Sequence, residues 1–409
     1  MNNSFYKTLG PGILFASTAI GVSHLVQSTR AGAEYGFALI LFVVLANIFK
    51  YPFFEFGSRY ANVTGTSLLE GYKKLGNWVL YLYFLITLFS MFIIVAAVAY
   101  VCAGLLSELF SFQNKMDYLV LLLFATCILI LTIGKYSLLD GLVKTVGFVL
   151  LCSTILAFIF AIINGAPEKT DSFVSPSLYS RESILFIIAL MGWMPTAVDM
   201  SVWNSIWTIE RIKQTSYHPN LKETLLDFNI GYIITLILAI CFLSLGSLLV
   251  FGTAQSMPDS SSLFAKKLIK LYTNSLGDWS YWIIVISAFS VMFSTTIAVF
   301  DGYCRSIERT TSLLFKINTS HATYVFWLFI ISIFSYLIIT KYTTSFKSLI
   351  DLATTISFLI APFCAVINHL VVHSKEIPIK LRPPVWLRYL SYSGIVFLLF
   401  FSIIFMLIK

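Results

Sequence analysis

Apolar residues follow one another in runs of roughly 20 along almost the whole chain, which is the length at which a helix crosses a lipid bilayer. Short polar turns rich in Gly, Pro and Ser separate these runs. The pattern predicts eleven membrane spans, at residues 11–36, 37–61, 77–107, 117–134, 137–164, 182–207, 225–251, 279–305, 322–340, 343–371 and 386–408. In the loop between the seventh and eighth spans, the amphipathic stretch 264–271 predicts a surface helix.

Two of the predicted spans are interrupted by residues that form helices poorly. Residues 21–24, Gly-Val-Ser-His, interrupt the first span, and residues 192–196, Gly-Trp-Met-Pro-Thr, interrupt the sixth. Pro195 lacks a backbone donor and disfavours helix at the residue before it. A bilayer offers no water to a freed backbone group, so a break is tolerated only inside protein or beside a cavity. Two broken spans five apart are typical of inverted five-helix repeats, although a kinked but continuous sixth span remains an alternative.

Composition agrees with a membrane protein. The 409 residues are 58% hydrophobic and 11% charged, with a mean hydropathy of +0.87, whereas soluble domains carry about 25% charge. Of the 27 Lys and Arg residues, the predicted loops place fifteen on the side of the N-terminus and nine on the other. This bias predicts a multi-pass protein of a prokaryotic inner membrane, with a cytoplasmic N-terminus and an external C-terminus. It explains the net charge of +8 without a nucleic-acid partner.

The sequence contains no pattern that indicates an enzyme. Its six cysteines all lie in apolar runs without metal-ligand spacing, which favours free thiols in the core. There is no phosphate-binding GxxxxGK[ST], no HExxH and no nucleophile–base arrangement. We therefore expect no enzymatic activity and no cofactor. A receptor or sensor would need a soluble signalling domain, and the longest predicted non-membrane segments have only about 20–27 residues.

Polar residues inside the predicted spans mark a candidate site, because such groups are costly in lipid and normally face protein or a cavity. In the first span, Ser23, Gln27, Arg30 and Glu34 share one helix face, and Arg30 and Glu34 are spaced to neutralise each other. The candidate substrate-binding residues are Gly21, Ser23, His24, Gln27, Arg30, Met194, Thr196 and Asp199. Coupling-ion candidates are Ser294, Thr295 and Thr296, whose hydroxyls equally suit bonds to helix carbonyls. Lys50 is expected to snorkel or to pair with Glu55.

Several motifs together resemble the NRAMP family of divalent-metal transporters. These are GPGILFAS and RAGAEYGF at the two ends of the first span, LAN and VTGTSLLEGY around the second, GKYSLLDGLVK at the fifth, and Met194-Pro195 in the sixth. The resemblance covers residues 9–370 or so. It implies an all-α membrane protein with the LeuT-like (APC) fold. It also implies a central site between spans 1 and 6, and alternating access. The corresponding units are 1–164 for the first repeat, 182–371 for the second and 386–408 for an extra helix.

The metal-binding residues of that family are mostly absent. The family's first break reads Asp-Pro-Gly-Asn, and alignment places Gly21 at the Asp and His24 at the Asn. The His of the family's Met-Pro-His is Thr196 here, which leaves Met194 as the retained side-chain ligand. The third span, from Leu80 to Leu106, also lacks the acidic residues that the family uses for proton movement.

These departures change the expected cargo. A divalent cation prefers carboxylates or other oxygen ligands, and this site offers neutral or potentially positive groups. Half-helices that resume after a break present their positive ends and free amides to the centre, which favours an anion. We therefore expect a monomeric secondary transporter in which a coupling cation, Na⁺ or H⁺, drives a small anion such as bicarbonate. The alternative is a divalent-metal transporter (Mn²⁺, Fe²⁺ or Mg²⁺) whose remodelled site uses His24 and Met194.

Overall fold

The computed structural model describes residues 10–110, 112, 115–133, 136–165, 170, 173–253, 255–318, 320–343 and 345–409, except the side chains of residues 136–147 and 342. This part of the chain is helical and contains no β-strand. The helices are α1 (Pro11–Ala19), a π-helical segment (Ser23–Ser28) continuing into α2 (Thr29–Tyr35), α3 (Ile40–Thr64), α4 (Leu68–Leu75), α5 (Asn77–Phe110), α6 (Met116–Ile133), α7 (Tyr136–Asn164), α8 (Arg181–Gly192), α9 (Met200–Thr215), α10 (Leu221–Leu249), α11 (Ser261–Leu276), α12 (Tyr281–Phe315), α13 (His321–Leu337), α14 (Phe346–Val372) and α15 (Val385–Ile408).

Each of the eleven predicted spans coincides with a helix or with a pair of half-helices. By length and composition, eight helical segments of the described chain suffice to cross a membrane, and the first of them, Ser23–Thr64, runs through π-helix, α2 and α3. A shorter apolar helix, Phe148–Asn164, belongs to α7. Three shorter helices, α1, α8 and α9, are halves of the two broken spans. The other two short helices, α4 and α11, lie between predicted spans. The side chains of the motif GKYSLLDGLVK, at 134–144, lie outside the described part of the structure.

The amphipathic stretch at 264–271 is helical, as predicted, but it is packed into the protein. It belongs to α11, which lies against α5 and α7. The apolar side chains of Phe264 and Leu268 are buried, whereas Lys266 and Lys270 are exposed. The Tyr272 hydroxyl lies 2.9 Å from the Thr154 hydroxyl on α7. The hydrophobic face therefore serves the protein core and not a lipid surface.

The two broken spans occupy equivalent places in the helix packing. Both halves of the first, α1 and α2, pack against α10, while α8 and α9 of the sixth pack against α3. Since α3 and α10 are the second and seventh spans, a shift of five spans exchanges these contacts. The backbones of α2 and α10 approach closely, because a Cβ on Gly246 would lie 2.2 Å from the Thr29 carbonyl oxygen. α15 packs outside this arrangement, against α3 and α14.

Candidate functional site

The first break is shorter than the sequence predicts. α1 ends at Ala19 and the π-helical segment begins at Ser23, so the chain is non-helical only around Ile20 and Gly21. The Ser23 hydroxyl donates to the Ala19 carbonyl at 2.6 Å and so bridges the break. Ser23 and His24, which were expected in the unwound segment, therefore already belong to the resumed helix.

The second break is longer than the sequence predicts. α8 ends at Gly192 and α9 begins at Met200, which leaves residues 193–199 outside regular helix. Pro195 contributes no backbone donor to this segment. A broken sixth span, and not a kinked one, is thus the conformation of this chain. The break is buried: Met194 and Val198 are fully enclosed, and Thr196 and Ala197 are each 6% exposed.

Three consecutive amides in this break donate no hydrogen bond within the described part of the chain. They belong to Thr196, Ala197 and Val198, directly before the N-terminus of α9. Buried backbone N–H groups without an acceptor are rare in proteins. A row of free amides at the start of a helix is also a favourable environment for an anion. The amides are therefore the strongest indication of a ligand position in this structure.

The last two carbonyls of α8, those of Met191 and Gly192, in contrast accept hydrogen bonds from a side chain. The Lys50 ammonium on α3 donates to the carbonyl oxygens of Met191 at 2.6 Å, Gly192 at 2.8 Å and Thr196 at 3.1 Å. Lys50 is completely buried. It neither snorkels nor pairs with Glu55, because Glu55 forms an ion pair with Arg59 one turn further along α3. The negative end of the α8 dipole is thus neutralised by a side chain of the protein itself.

A small cavity of ≈ 30 Å³ lies between the two breaks. It is lined by Thr18, Ala19, Val22, Ser23, Ile94, Val98, Trp193, Thr196, Ala197, Met200, Trp203, Thr295, Val299 and Tyr303. Its polar side chains are hydroxyls and indole groups, and it contains neither a carboxylate nor a histidine. No group of three or more His, Cys, Asp or Glu residues among the described ones is arranged to hold a metal ion. The cavity has room for a solute of very few atoms.

The predicted substrate-binding residues divide between this cavity and its surroundings. Ser23 and Thr196 line the cavity directly. Gly21 lies beside it and faces Thr295, since a Cβ on Gly21 would lie 2.7 Å from Thr295 Cγ2. Asp199 is buried at the start of α9, where the hydroxyl of the cavity residue Tyr303 donates to its carboxylate at 3.5 Å.

The two candidate metal ligands, His24 and Met194, are fully buried away from the cavity lining. His24 Nε2 donates to the Thr235 carbonyl oxygen at 2.9 Å, and Nδ1 lies 2.7 Å from the Ser23 hydroxyl. Neither ring nitrogen is thus left free for a metal. The Met194 sulfur accepts a hydrogen bond from Ser28 at 3.8 Å. His24 thus joins the first span to α10, and Met194 joins it to the second break.

Gln27 and Arg30 belong to a polar network on the far side of the break. Arg30 makes a two-pronged ion pair with Asp351 on α14, with contacts of 2.8 and 3.2 Å. Gln27 donates to the same carboxylate at 2.9 Å. The predicted pair of Arg30 and Glu34 is present at 3.6 Å, and Glu34 also contacts Lys347 at 3.8 Å. The network ties α2 to α14 and does not enter the cavity.

Two of the three coupling-ion candidates face α1. Ser294 lies 3.1 Å from the Ser17 hydroxyl, and Thr295 donates to the Ser17 carbonyl at 2.9 Å, with the Ile20 carbonyl at 3.5 Å. Hydroxyl and carbonyl oxygens from α12 and α1 therefore converge beside the first break. Thr296 instead donates to the Met292 carbonyl of its own helix at 2.8 Å. It is the one candidate of the three whose hydroxyl serves its own helix.

Two residues of this region have roles that the sequence pattern does not predict. Asp351 is not among the predicted site residues, although a carboxylate near the start of a predicted span is a visible signal. The partners of Lys50 are main-chain carbonyls, which residue types do not indicate. A buried lysine beside an expected break could nevertheless have been tested as a donor to the carbonyls that the break frees.

Nearly the whole chain is similar in sequence to proteins of one family. The family described as "Natural resistance-associated macrophage protein-like" (Nramp) matches residues 12–408. An uncharacterized protein of Pasteurella multocida (strain Pm70), PM0681, is 35% identical over 408 residues, covering 98% of this chain and 92% of that protein. The divalent metal cation transporter MntH of Lacticaseibacillus casei (strain BL23) is 22% identical over 283 residues, which cover 64% of this chain and 59% of MntH.

Solved structures share the fold. The manganese transporter of Eremococcus coleocola, in complex with an aromatic bis-isothiourea compound, superposes with a TM-score of 0.73 at 13% identity, over 99% of this chain and 87% of that one. MhsT in complex with L-phenylalanine superposes with a TM-score of 0.63 at 13% identity, over 96% and 98%. At these identities the likeness establishes the architecture, which is the expected LeuT-like arrangement of membrane helices.

Proposed function

Because this chain belongs to the Nramp family, we propose that it is a membrane-embedded secondary transporter. Its solute is a small ion, which it moves by alternating access through the cavity between the two broken helices. Family membership and the likeness to solved transporters favour this role over that of an enzyme or a receptor. The cavity lies where helix ends meet at membrane depth, which is the usual place of solute sites in transporters of this architecture.

We propose that the cargo is a small oxyanion, with bicarbonate as the candidate. The observation that carries this proposal is the row of buried, unpartnered amides of Thr196, Ala197 and Val198. The cavity hydroxyls of Ser23, Thr196 and Tyr303 already donate to Ala19, Met200 and Asp199, so the donors open to an oxyanion are the main-chain amides. None of the relatives reported above is named for an anion, so this choice depends on the site alone.

A divalent metal is the second candidate, because the MntH relatives and the Eremococcus coleocola protein are named for metals. Against it stands the chemistry of the cavity lining, which supplies no carboxylate and no histidine. His24 would have to give up its contact with Thr235 or with Ser23 to ligate a metal through one ring nitrogen. The relative at 35% identity carries no named substrate, and the named metal transporters are only 22–23% identical.

We propose that the coupling cation, Na⁺ or H⁺, acts at the oxygens of Ser294, Thr295, Ser17 and Ile20. Carbonyl and hydroxyl oxygens are suitable ligands for a hard cation such as sodium. This group of oxygens lies where α1 meets α12, beside the first break. A cation bound there would hold α1 in place and so couple its own binding to the shape of the cavity.

Flux into proteoliposomes tests the cargo. Purified protein is reconstituted into vesicles that contain either a pH-sensitive dye or a metal-quenched dye. With an inward sodium gradient, external bicarbonate is expected to alkalinise the lumen, and manganese at micromolar concentration is expected to leave the metal dye unquenched. Empty vesicles correct for CO₂ diffusion. Manganese uptake without any bicarbonate-dependent pH change would refute the oxyanion and establish the metal.

A further inference from the structure

Lys50 is a fully buried side chain of α3. Its three hydrogen bonds, at 2.6, 2.8 and 3.1 Å, all end on main-chain carbonyl oxygens. Three carbonyl acceptors match the three N–H groups of an ammonium, whereas a neutral amine has only two. In the ammonium form, Lys50 places a full positive charge at the end of α8, beside the unpartnered amides.

The geometry resembles the coordination of a small monovalent cation. Three carbonyl oxygens from the unwound sixth span surround one point, as backbone oxygens do around bound cations. Met191 and Gly192 contribute the last carbonyls of α8, and Thr196 contributes one from the middle of the break.

The third carbonyl connects Lys50 to the amides. In a planar trans peptide the N–H points opposite to the C=O. Since the Thr196 carbonyl points to Lys50, the N–H of Ala197 in the same peptide points away from Lys50. Ala197 lines the cavity. Lys50 thus fixes the orientation of the peptide whose donor is left without an acceptor.

We propose that the Lys50 ammonium is a tethered cation: it fills a monovalent-cation site formed by the carbonyls of Met191, Gly192 and Thr196, and thereby orients the cavity amides toward the cargo. In the absence of the side chain, these carbonyls would bind a free ammonium or alkali cation. The orienting role rests on the proposed oxyanion function, whereas the cation site does not. Lys50 is a positioning residue, because its contacts go to the backbone and not to the cargo.

Chemical rescue tests the cation site. Lys50→Ala removes an n-propylammonium group, so the variant is purified with or without n-propylammonium, and its melting temperature is measured in detergent. Without the amine, we expect melting about 5 °C or more below wild type. n-Propylammonium should restore most of the loss, whereas tetramethylammonium, which has no N–H, should restore none. The matched control is Lys73→Ala on α4, whose Nζ donates to the single carbonyl of Leu313 at 2.6 Å; no amine should stabilise it.

A melting temperature equal to that of wild type, or equal effects of both amines, would overturn the tethered cation. Should Lys50→Ala give no folded protein, Lys50→Met and Lys50→Arg are compared. Stability retained by Arg and lost by Met supports the proposal, and equal stability of the two refutes it.

Flux tests the orienting role separately. In proteoliposomes, n-propylammonium is expected to lower the KM of Lys50→Ala for bicarbonate about tenfold or more and to leave the maximal rate less changed. Thermal rescue without any effect on KM would refute the orientation of the amides and leave the cation site standing. If wild-type vesicles carried manganese and no bicarbonate, the proposed cargo would fail, while the melting experiment would still decide the tethered cation.

Discussion

At the scale of single residues, the site is defined by groups that lack a partner as much as by those that have one. Lys50 binds three carbonyls at the second break, those of Met191, Gly192 and Thr196, and Ser23 binds the Ala19 carbonyl at the first. The amides of Thr196, Ala197 and Val198 have no acceptor within the described part of the chain. An acceptor on the cargo would satisfy these three donors.

Removal of one such donor should weaken cargo binding without altering any side chain. Replacing Ala197 with the corresponding α-hydroxy acid turns its N–H into an ester oxygen. Because a hydrogen bond to a charged group contributes about 1.5–3 kcal/mol, the KM for bicarbonate should rise about tenfold or more. The same replacement at Ala189, inside α8, is the control. It should lower stability and leave KM unchanged; equal KM effects at both positions would refute a direct role of the Ala197 amide.

The structure leaves no room for a side chain at Gly21. A Cβ at this position would lie 2.7 Å from Thr295 Cγ2 and 2.9 Å from its hydroxyl. We expect Gly21→Ala to cost about 1–3 kcal/mol of stability, the usual effect of overpacking, and to reduce flux. Thr295→Ser removes the closest colliding atom, the methyl, and keeps the hydroxyl, so the double variant should regain part of the lost stability in thermal unfolding.

A Gly21→Asp variant carries the same Cβ and is informative only with Thr295→Ser. In that background it tests whether a restored carboxylate confers manganese binding. If the double variant Gly21→Ala/Thr295→Ser is no more stable than Gly21→Ala alone, the Thr295 methyl does not restrict the side chain at position 21.

At the scale of elements, both halves of the broken first span are anchored by carboxylates. Asp227 on α10 accepts hydrogen bonds from the amides of Gly10 at 3.3 Å and Gly12 at 2.7 Å, at the start of α1. Asp351 on α14 holds Arg30 on α2. A negative group is favourable at a helix N-terminus, and a buried arginine needs a paired acid. Each half of the first span is thus held by a carboxylate of a different helix.

Asp351→Asn should loosen α2 specifically. The variant keeps the shape of the side chain but removes the charge that pairs with Arg30. Because Asp351 is 34% exposed and Arg30 only 5%, we expect a stability loss of about 1–2 kcal/mol, less than for a fully buried pair. Hydrogen–deuterium exchange should rise in residues 29–35 and stay unchanged in α1. Asp259→Asn, at an exposed loop contact with Ser345, is the control, and equal exchange in both variants would contradict this role.

The elements were largely predictable from the sequence, whereas the contacts of the site were not. Apolar run length placed the spans, and Gly21 and Pro195 marked the breaks to within a few residues, because these signals are local. The pairing of Arg30 with Asp351 joins positions 321 apart, and Lys50 meets carbonyls 141 to 146 positions away. Such contacts depend on how helices pack, which residue types in one sequence do not encode. His24 shows the same limit: its type suggested a ligand, and packing against Thr235 occupies its ring.

At the scale of the whole molecule, each of the two breaks has its own helix contact. The first break lies against α12 through Thr295, and the second lies against α3 through Lys50. In the proposed mechanism, a cation that binds between α1 and α12 acts on the first break, and the cargo acts on the amides of the second. Coupling then needs no direct contact between the two ions, because both share the cavity wall formed by Ser23, Thr196 and Thr295.

This arrangement predicts that sodium dependence can be removed without removing the cargo site. Ser294→Ala takes away a hydroxyl that faces Ser17 at 3.1 Å, so one oxygen of the proposed cation site is lost. We expect the sodium concentration for half-maximal bicarbonate flux to rise about tenfold, because a hydrogen-bonding or ligating group is typically worth 1–2 kcal/mol. The KM for bicarbonate at saturating sodium should stay near that of wild type. Thr296→Val, two residues along α12, is the matched control, because its hydroxyl serves the Met292 carbonyl of its own helix. Equal sodium dependence in wild type, Ser294→Ala and Thr296→Val would exclude Ser294 from the coupling site, whereas flux that is independent of sodium in all three would leave a proton as the driving ion.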